Sequence, residues 1–114
     1  MITVKIGKSE DGKTLILTLD GHAGQAAAGQ DIVCSAASIL AYTTAKRVVQ
    51  MAVAGKLKKK PKIRLDPGNI TITCKPSRGH LDEAMQIYQF AEEGYLLIRD
   101  NHPQYLQISK FGKA

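Results

Sequence analysis

The residues best suited to chemistry lie between positions 21 and 38, in the stretch GHAGQAAAGQDIVCSAAS. His22 precedes a segment rich in glycine and alanine, and Cys34 follows it. A cysteine is nucleophilic as its thiolate, and a neutral imidazole can take the thiol proton to leave a thiolate–imidazolium pair. These two residue types therefore indicate attack on a carbonyl carbon, after which the histidine returns the proton to the leaving group.

The spacing of Gly24 and Gly29 also has the outline of a phosphate-binding loop ahead of a helix. Such a loop continues with lysine and then serine or threonine, whereas this one continues with Gln30 and Asp31. A carboxylate at the start of a helix repels a phosphate, and no cation follows Gly29 to neutralise one. The sequence therefore excludes a phosphate loop.

Asp31 is a good N-cap residue and predicts that a helix begins directly after it. Cys34 would then lie in the first helical turn, where free backbone N–H groups stabilise a thiolate and can hold an oxyanion. We expect Asp31 to cap the helix and to help orient His22. The glycines Gly24 and Gly29 would let the loop 23–30 close over a bound chain.

Each of these residues also has a purely structural interpretation. A cysteine on an apolar helix is often a small core residue, and a histidine after a strand is often a hydrogen-bonded loop residue. Cys74 shares a strand face with Ile70 and Ile72 and is expected to pack in the core. His80 and His102 flank a predicted helix, with no thiol nearby in sequence. Spacing alone leaves the catalytic and structural interpretations open.

The remaining pattern predicts the elements that must position this stretch. Alternating apolar residues indicate one hairpin within residues 2–20 and a second around the Pro-Gly pair at 67–68. Helical spacing indicates a long helix after residue 31 and another over 80–98, followed by a last strand. The order ββαββα(β) predicts an α+β fold, a two-layer sandwich whose mostly antiparallel sheet has helices on one face. No repeat or linker divides the chain, so residues 1–114 are expected to form one domain.

Composition narrows the class of protein further. The chain has 114 residues, of which 44% are hydrophobic and 23% charged, as in soluble globular proteins. The longest uncharged run, residues 32–45, is too short to cross a membrane, and the first residues alternate like a strand instead of forming a secretion signal. We therefore expect a cytoplasmic protein without membrane contact, in which both cysteines are free thiols.

A basic connector, KLKKKPK at residues 56–62, stands out in a chain whose net charge is +6. It can be a solvated link between helix and hairpin, or it can attract ribosomal RNA without reading its sequence. The lysines available for such a contact are Lys58, Lys59, Lys60 and Lys62. Because no set of three or four ligands is clustered in the sequence, neither a metal nor another cofactor is expected.

The motif around Cys34 resembles the signature of the bacterial ribosomal-processing cysteine protease family (Prp). That signature is Gly-His-Ala, a short variable loop, Gly, any residue, Asp-Ile-Val-Cys, and a small-residue stretch ending in Ser. The matching residues are Gly21, His22, Ala23, Gly29, Asp31, Ile32, Val33, Cys34 and Ser38. Ser35 stands where the resemblance leads us to expect alanine.

The resemblance implies that Cys34 is the nucleophile and His22 its base. It also implies an α+β homodimer with a mobile loop over the site, which agrees with the apolar first half of the long helix. Family members remove a short N-terminal extension from a large-subunit ribosomal protein, so such an extension is the expected partner.

Two alternatives from other classes of protein stay open at this point. A non-catalytic ribosome- or RNA-associated protein would use the basic connector and simply bury Cys34. A thiol redox sensor would oxidise Cys34 and needs a resolving cysteine, for which the chain offers only Cys74. Neither alternative accounts for His22 and the glycine-containing loop.

Overall fold

In the part of the chain that the structure describes, five strands and two helices form a two-layer α+β sandwich, as the sequence predicts. The computed structural model describes residues 1–21 and 28–111, and in the first helix it describes side chains from residue 32 onward. Along the chain the elements are β1 (Ile2–Lys8), β2 (Leu15–Asp20), α1 (Ala28–Val53), β3 (Lys62–Asp66), β4 (Asn69–Cys74), α2 (Leu81–Asn101) and β5 (Leu106–Phe111). The strand order is β3-β4-β2-β1-β5, and every neighbouring pair is antiparallel except β1 with β5.

The core lies between one face of this sheet and the two helices. Because side chains alternate across a strand, β1, β2 and β4 each direct every second apolar residue to that face. Val4, Leu17 and Ile72 are completely buried there, and each is paired or aligned with a neighbour of the same kind across the sheet. The sheet is therefore held in register by its apolar face, since a one-residue slip would expose the whole set.

The two helices run antiparallel and are tied to each other and to the sheet by buried tyrosines. The hydroxyl of Tyr88 donates to the carbonyl of Ile72 at 2.9 Å, and that of Tyr95 donates to the carbonyl of Ala37 at 3.0 Å. Burial raises the pKa of both phenols well above the ordinary value. Both hydroxyls therefore stay protonated at neutral pH and act as hydrogen-bond donors.

The helix α1 begins at Ala28, so the prediction that Asp31 caps it is wrong. Alanine has the highest helix propensity, which allows the helix to extend one turn ahead of the aspartate. Asp31 is therefore a residue within the helix, at the end of its first turn. Gly29 also lies in α1 and not in a loop spanning 23–30, and Cys34 lies in the second turn.

The helix α1 is long and apolar enough to qualify as a membrane span by length and composition, over Ile32–Val53 with a mean hydropathy of 1.2. The expectation that no stretch approaches this threshold was therefore wrong. Buried helices of globular folds pass the same test, and one third of this window is buried inside the fold.

Gly21 ends β2 in a conformation that favours glycine. Its φ is +97°, its N–H donates to the carbonyl of Gly68 at 3.0 Å, and a Cβ placed on it would overlap the backbone carbonyl oxygen of Met1. No side chain fits there without moving backbone atoms. The residue immediately before His22 is thus anchored to two other segments of the sheet.

We expect Gly21→Ala to lower the free energy of unfolding by about 2–4 kcal/mol, because it combines left-handed backbone strain with a backbone overlap. Gly12→Ala is the matched control, since Gly12 also has a positive φ, +70°, but has nothing within 4 Å of the added carbon. It should cost only about 1 kcal/mol. Urea denaturation of the two variants measures the difference, and equal losses would contradict the overlap at Gly21.

Candidate functional site

Cys34 lies in a shallow depression on the outer surface of α1. The depression has a volume of about 360 Å³ and is lined by Cys34, Ser35, Ser38, Ile39 and Tyr42. The cysteine is half-buried and packs against the core, while Ile39 and Tyr42 are largely exposed. A molecule in solvent can therefore reach the thiol without opening the core.

Helical spacing explains how these side chains come together. Cys34, Ser38 and Tyr42 are four residues apart, so they lie one above the other on a single face of α1. The result is a row consisting of one thiol and two hydroxyl groups, bordered by Ser35 and Ile39. Hydroxyl groups can donate to or accept from a peptide backbone, which gives the depression both polar and apolar contacts.

The second-turn position of Cys34 changes the expected source of its activation. The first four N–H groups of a helix lack helical partners, and the effect of the dipole declines within the first turn. Cys34 is the seventh residue of α1, so the prediction that free N–H groups of the first turn surround its sulfur does not hold at this position. Activation would then depend on a basic side chain.

The other predicted site residues are only partly described. His22 and Gly24 lie outside the described residues, as does most of the loop that was expected to be mobile. Gly21 is anchored at the end of β2, and Ser38 lines the depression with Cys34. Among the supporting residues whose side chains the structure describes, Ser38 lies next to the thiol.

Ile39 and Tyr42 are site residues that the sequence analysis missed. The signal for Tyr42 was present, because it continues the four-residue spacing from Cys34 through Ser38. Ile39 follows Ile32 by seven residues, and both are more than half exposed, at 60% and 63%. An exposed isoleucine cannot be distinguished from a buried one by periodicity when the helix is apolar on most faces.

The remaining histidines and cysteine have structural surroundings. His102 ends α2, where its N–H donates to the carbonyl of Ile98, and its ring stacks on Tyr105 with 6.5 Å between centroids. His80 precedes α2, and neither histidine lines the depression. Cys74 is 1% exposed, and burial raises the pKa of its thiol. Its predicted place in the core is confirmed, as is the prediction of two free thiols.

The larger cavity of the fold lies elsewhere, at the opposite end of α2. It has a volume of about 840 Å³ and lies between α2 and the ends of β1 and β5, with Met85, Tyr88 and Phe111 among its lining residues. No cysteine or histidine of the described part of the chain lines it. Size therefore does not identify the reactive site, because the accessible thiol lies in the smaller depression.

Among residues 1–21 and 28–111, no three histidine, cysteine or acidic side chains come together as metal ligands would.

Comparison with known proteins shows which family the chain resembles. The profile of the family described as cysteine protease Prp matches residues 1–107. The ribosomal processing cysteine protease Prp of Staphylococcus aureus is 32% identical over 89 residues, which cover 78% of this chain and 79% of the relative.

Solved structures agree with the sequence match. A crystal structure of an essential ribosomal processing protease Prp from S. aureus with a substrate peptide has a TM-score of 0.71 and 27% identity, covering 96% of this chain and 99% of the other. The same protease with a covalently linked product peptide has a TM-score of 0.69 and 28% identity, with the same coverage. A Streptococcus mutans protein shares the fold at a TM-score of 0.67 and 20% identity, covering 99% of this chain and 96% of the other.

The family profile spans almost the whole chain. The similar S. aureus sequence and the similar S. aureus structure are both described as the ribosomal processing protease Prp. The chain therefore belongs to the Prp family of ribosomal processing cysteine proteases.

Proposed function

We propose that this cysteine protease removes a short N-terminal extension from a large-subunit ribosomal protein, with Cys34 as nucleophile and His22 as base. The observation that carries the proposal is the accessible thiol of Cys34 in a depression lined by hydroxyl groups, within a fold similar to that of a Prp that binds a substrate peptide. The role of His22 is supported by the sequence motif.

The proposed reaction has two halves. His22 takes the proton of the Cys34 thiol, the sulfur forms a bond to the scissile carbonyl carbon, and the carbonyl becomes an oxyanion. The oxyanion collapses, the carbon–nitrogen bond breaks, and His22 protonates the departing amine. Water then adds to the thioester carbon as His22 takes its proton, the carbon–sulfur bond breaks to release the acid product, and His22 returns the proton to the sulfur.

The depression suits an extended peptide better than a compact ligand. It is shallow and lies along the axis of α1, with the thiol at one end and Tyr42 two turns away. One turn of helix rises about 5.4 Å, so this distance is about 11 Å, or about three residues of an extended chain. We propose that Ser38 and Tyr42 hydrogen-bond to that chain and that Ile39 contacts one of its apolar side chains.

We expect Cys34→Ala and His22→Ala each to lower the rate of cleavage by at least about a thousandfold, because removing either partner removes the activated thiolate. The substrate is the ribosomal protein precursor from the same organism, and mass spectrometry identifies the products. Ser35→Ala is the matched control, since it alters the neighbour of the nucleophile without removing a reacting group, and it should retain cleavage within about tenfold. Near-normal turnover by His22→Ala, with the fold intact, would contradict the assignment of His22 as the base of Cys34.

The two thiols should also differ in reactivity. Cys34 lines the depression, whereas Cys74 is buried and the pKa of its thiol is raised. With a chromogenic disulfide reagent at neutral pH, we expect one thiol per folded chain to react quickly and the second only after unfolding. Cys34→Ser should abolish the fast reaction and Cys74→Ser should preserve it. A fast equivalent that persists in Cys34→Ser would contradict this assignment.

The difference in burial between Cys34 and Cys74 also weighs against a redox sensor. A resolving cysteine must approach the oxidised thiol, and Cys74, the one other cysteine in the sequence, is 1% exposed on the core face of β4. Pairing the two would require the core to open. The peptidase proposal requires no such change.

We further propose that the protein acts in the cytoplasm as a homodimer whose interface is formed by exposed apolar residues of α2 and of the C-terminal part of α1. On α2, Phe90 and Leu97 are seven residues apart on one side of the helix and are 71% and 64% exposed. On α1, Val49 and Val53 are also exposed. Apolar side chains exposed in this number on one layer are typical of an interaction surface.

Light scattering should therefore give a mass of twice the 12.4 kDa of one chain. Phe90→Asp/Leu97→Asp should yield the monomer, because two carboxylates would have to lose water in the interface. Gln104→Asp is the control, as an exposed polar residue that follows α2 and lies outside the helical layer, and it should leave the mass unchanged. A wild type that is monomeric at every concentration would overturn the dimer.

The exposed lysines of the connector are available to contact ribosomal RNA. Lys58, Lys59 and Lys60 are exposed, and we propose that they and Lys62 attract ribosomal RNA near the substrate. Lys56 is excluded from this role, because its Nζ lies 2.9 Å from the carboxylate of Glu83.

A further inference from the structure

The second face of the sheet is polar and is not covered by any described helix. While Val4, Leu17 and Ile72 face the helices, the alternate residues of the same strands point the other way. These alternate residues include Thr3, Lys5, Thr18, Thr71 and Thr73, none of which is buried. The open face is thus lined mainly by hydroxyl groups and cations.

Strand register arranges these side chains into rows across the sheet. One row runs through all five strands as Arg64, Thr71, Thr18, Lys5 and Ser109. The next row, toward the connector, runs as Lys62, Thr73, Ile16, Gly7 and Phe111. In the first row three strand spacings separate the two cations, a distance of about 14 Å.

The basic connector joins this face at its edge. Leu57 forms a bridge with Pro76, and the N–H of Lys58 donates to the carbonyl of Lys75 at 2.8 Å. The connector therefore runs beside the end of β4, next to the row that contains Lys62. We call the resulting surface the basic sheet end, and it comprises Lys5, Lys58, Lys59, Lys60, Lys62 and Lys75.

Two acidic residues, Asp20 and Asp66, lie at the opposite end of the face, whereas Glu10 and Asp11 lie in the turn between β1 and β2, at the end nearest the connector. Asp66, Asn69, Asp20, Thr3 and Gln107 form the row beyond Arg64. Asp66 accepts from the Nε of Arg64 at 2.6 Å, so the two residues compensate each other in part. At the basic sheet end, hydrogen bonds from the Ser9 hydroxyl and the Lys13 N–H lower the pKa of the Asp11 carboxyl, and the charges of Lys13 and Lys75 add to this effect. The face is therefore polarised, with its positive end at the connector.

We propose that the basic sheet end binds the phosphate backbone of RNA. Phosphate contacts in nucleic-acid complexes are made by lysine and arginine together with serine and threonine hydroxyls, the groups that alternate along these rows. Base stacking would need aromatic side chains, and in the two rows nearest the connector Phe111 alone supplies one. Binding should therefore depend on salt and not on sequence.

The choice of RNA as the bound molecule rests on the proposed ribosomal substrate. The expectation that phosphate groups bind rests on the lysine and hydroxyl groups of the open face. The face lies on the side of the sheet opposite α1, and RNA can bind there without covering the depression that contains Cys34. The two proposals can therefore be tested separately. RNA binding and peptide cleavage are independent readouts.

The experiment measures fluorescence anisotropy of a labelled RNA duplex of about 16 base pairs between about 50 and 200 mM salt. The face variant is Lys5→Gln/Lys62→Gln, and the control with the same change in net charge is Arg47→Gln/Arg99→Gln on the helices. We expect the face variant to weaken binding roughly tenfold or more and to reduce the slope of log K against log salt by about 2. The control should change the affinity less than about twofold.

Three outcomes would overturn the proposal: no RNA binding by the wild type, equal losses in the face and control variants, or equal binding of vesicles rich in anionic lipid. Cys34→Ala separates this proposal from the catalytic one. Unchanged RNA binding by that variant supports the face whether or not the wild type cleaves the ribosomal precursor. If cleavage occurs but RNA does not bind, the catalytic proposal stands and the face proposal falls.

Discussion

The buried hydrogen bond from the Tyr95 hydroxyl to the carbonyl of Ala37 fixes the position of α1 relative to α2. It is made beside Gly94, where an added Cβ would lie 2.6 Å from the side chain of Leu40. A buried phenol that loses its partner costs about 1–3 kcal/mol, so neither rotation nor sliding of α1 is without penalty. Ala37 is one turn from Cys34, and this contact therefore determines which face of α1, and which thiol, remains accessible.

Small residues make this close contact possible, and they leave the rest of α1 apolar as well. Ala37, Ala41 and Ala45 are buried at four-residue intervals, so the covered face of the helix is narrow. Val33, Val48 and Met51 are buried with them, whereas other large apolar residues of α1 lie on faces that the sheet and α2 do not reach. Ile32 and Val53 are 63% and 84% exposed for this reason. The same packing that orients Cys34 thus leaves an apolar outer layer available to a partner.

The sequence was sufficient to predict the strands and the buried face of the sheet. It was insufficient to predict where α1 begins and which contacts position Cys34. Strict alternation around Val4, Leu17 and Ile72 specifies strands and their buried face, because a register error would reverse every side chain. The start of α1 was misplaced, because an N-cap preference of about 1 kcal/mol competes with the strong helix propensity of alanine. The contact between Tyr95 and Ala37 joins residues 58 positions apart, and no local pattern encodes such a pair.

The basic sheet end and the Cys34 thiol lie on opposite sides of the sheet, and this separation determines how the two can act together. Electrostatic attraction acts over about 8 Å at physiological ionic strength, so a cationic surface can hold a polyanion without touching the thiol. The acidic row that contains Asp20 and Asp66 lies at the end of the sheet from which the chain leads through Gly21 toward α1. Phosphates would be repelled from that end and retained at the connector, which leaves the depression that contains Cys34 open to a peptide.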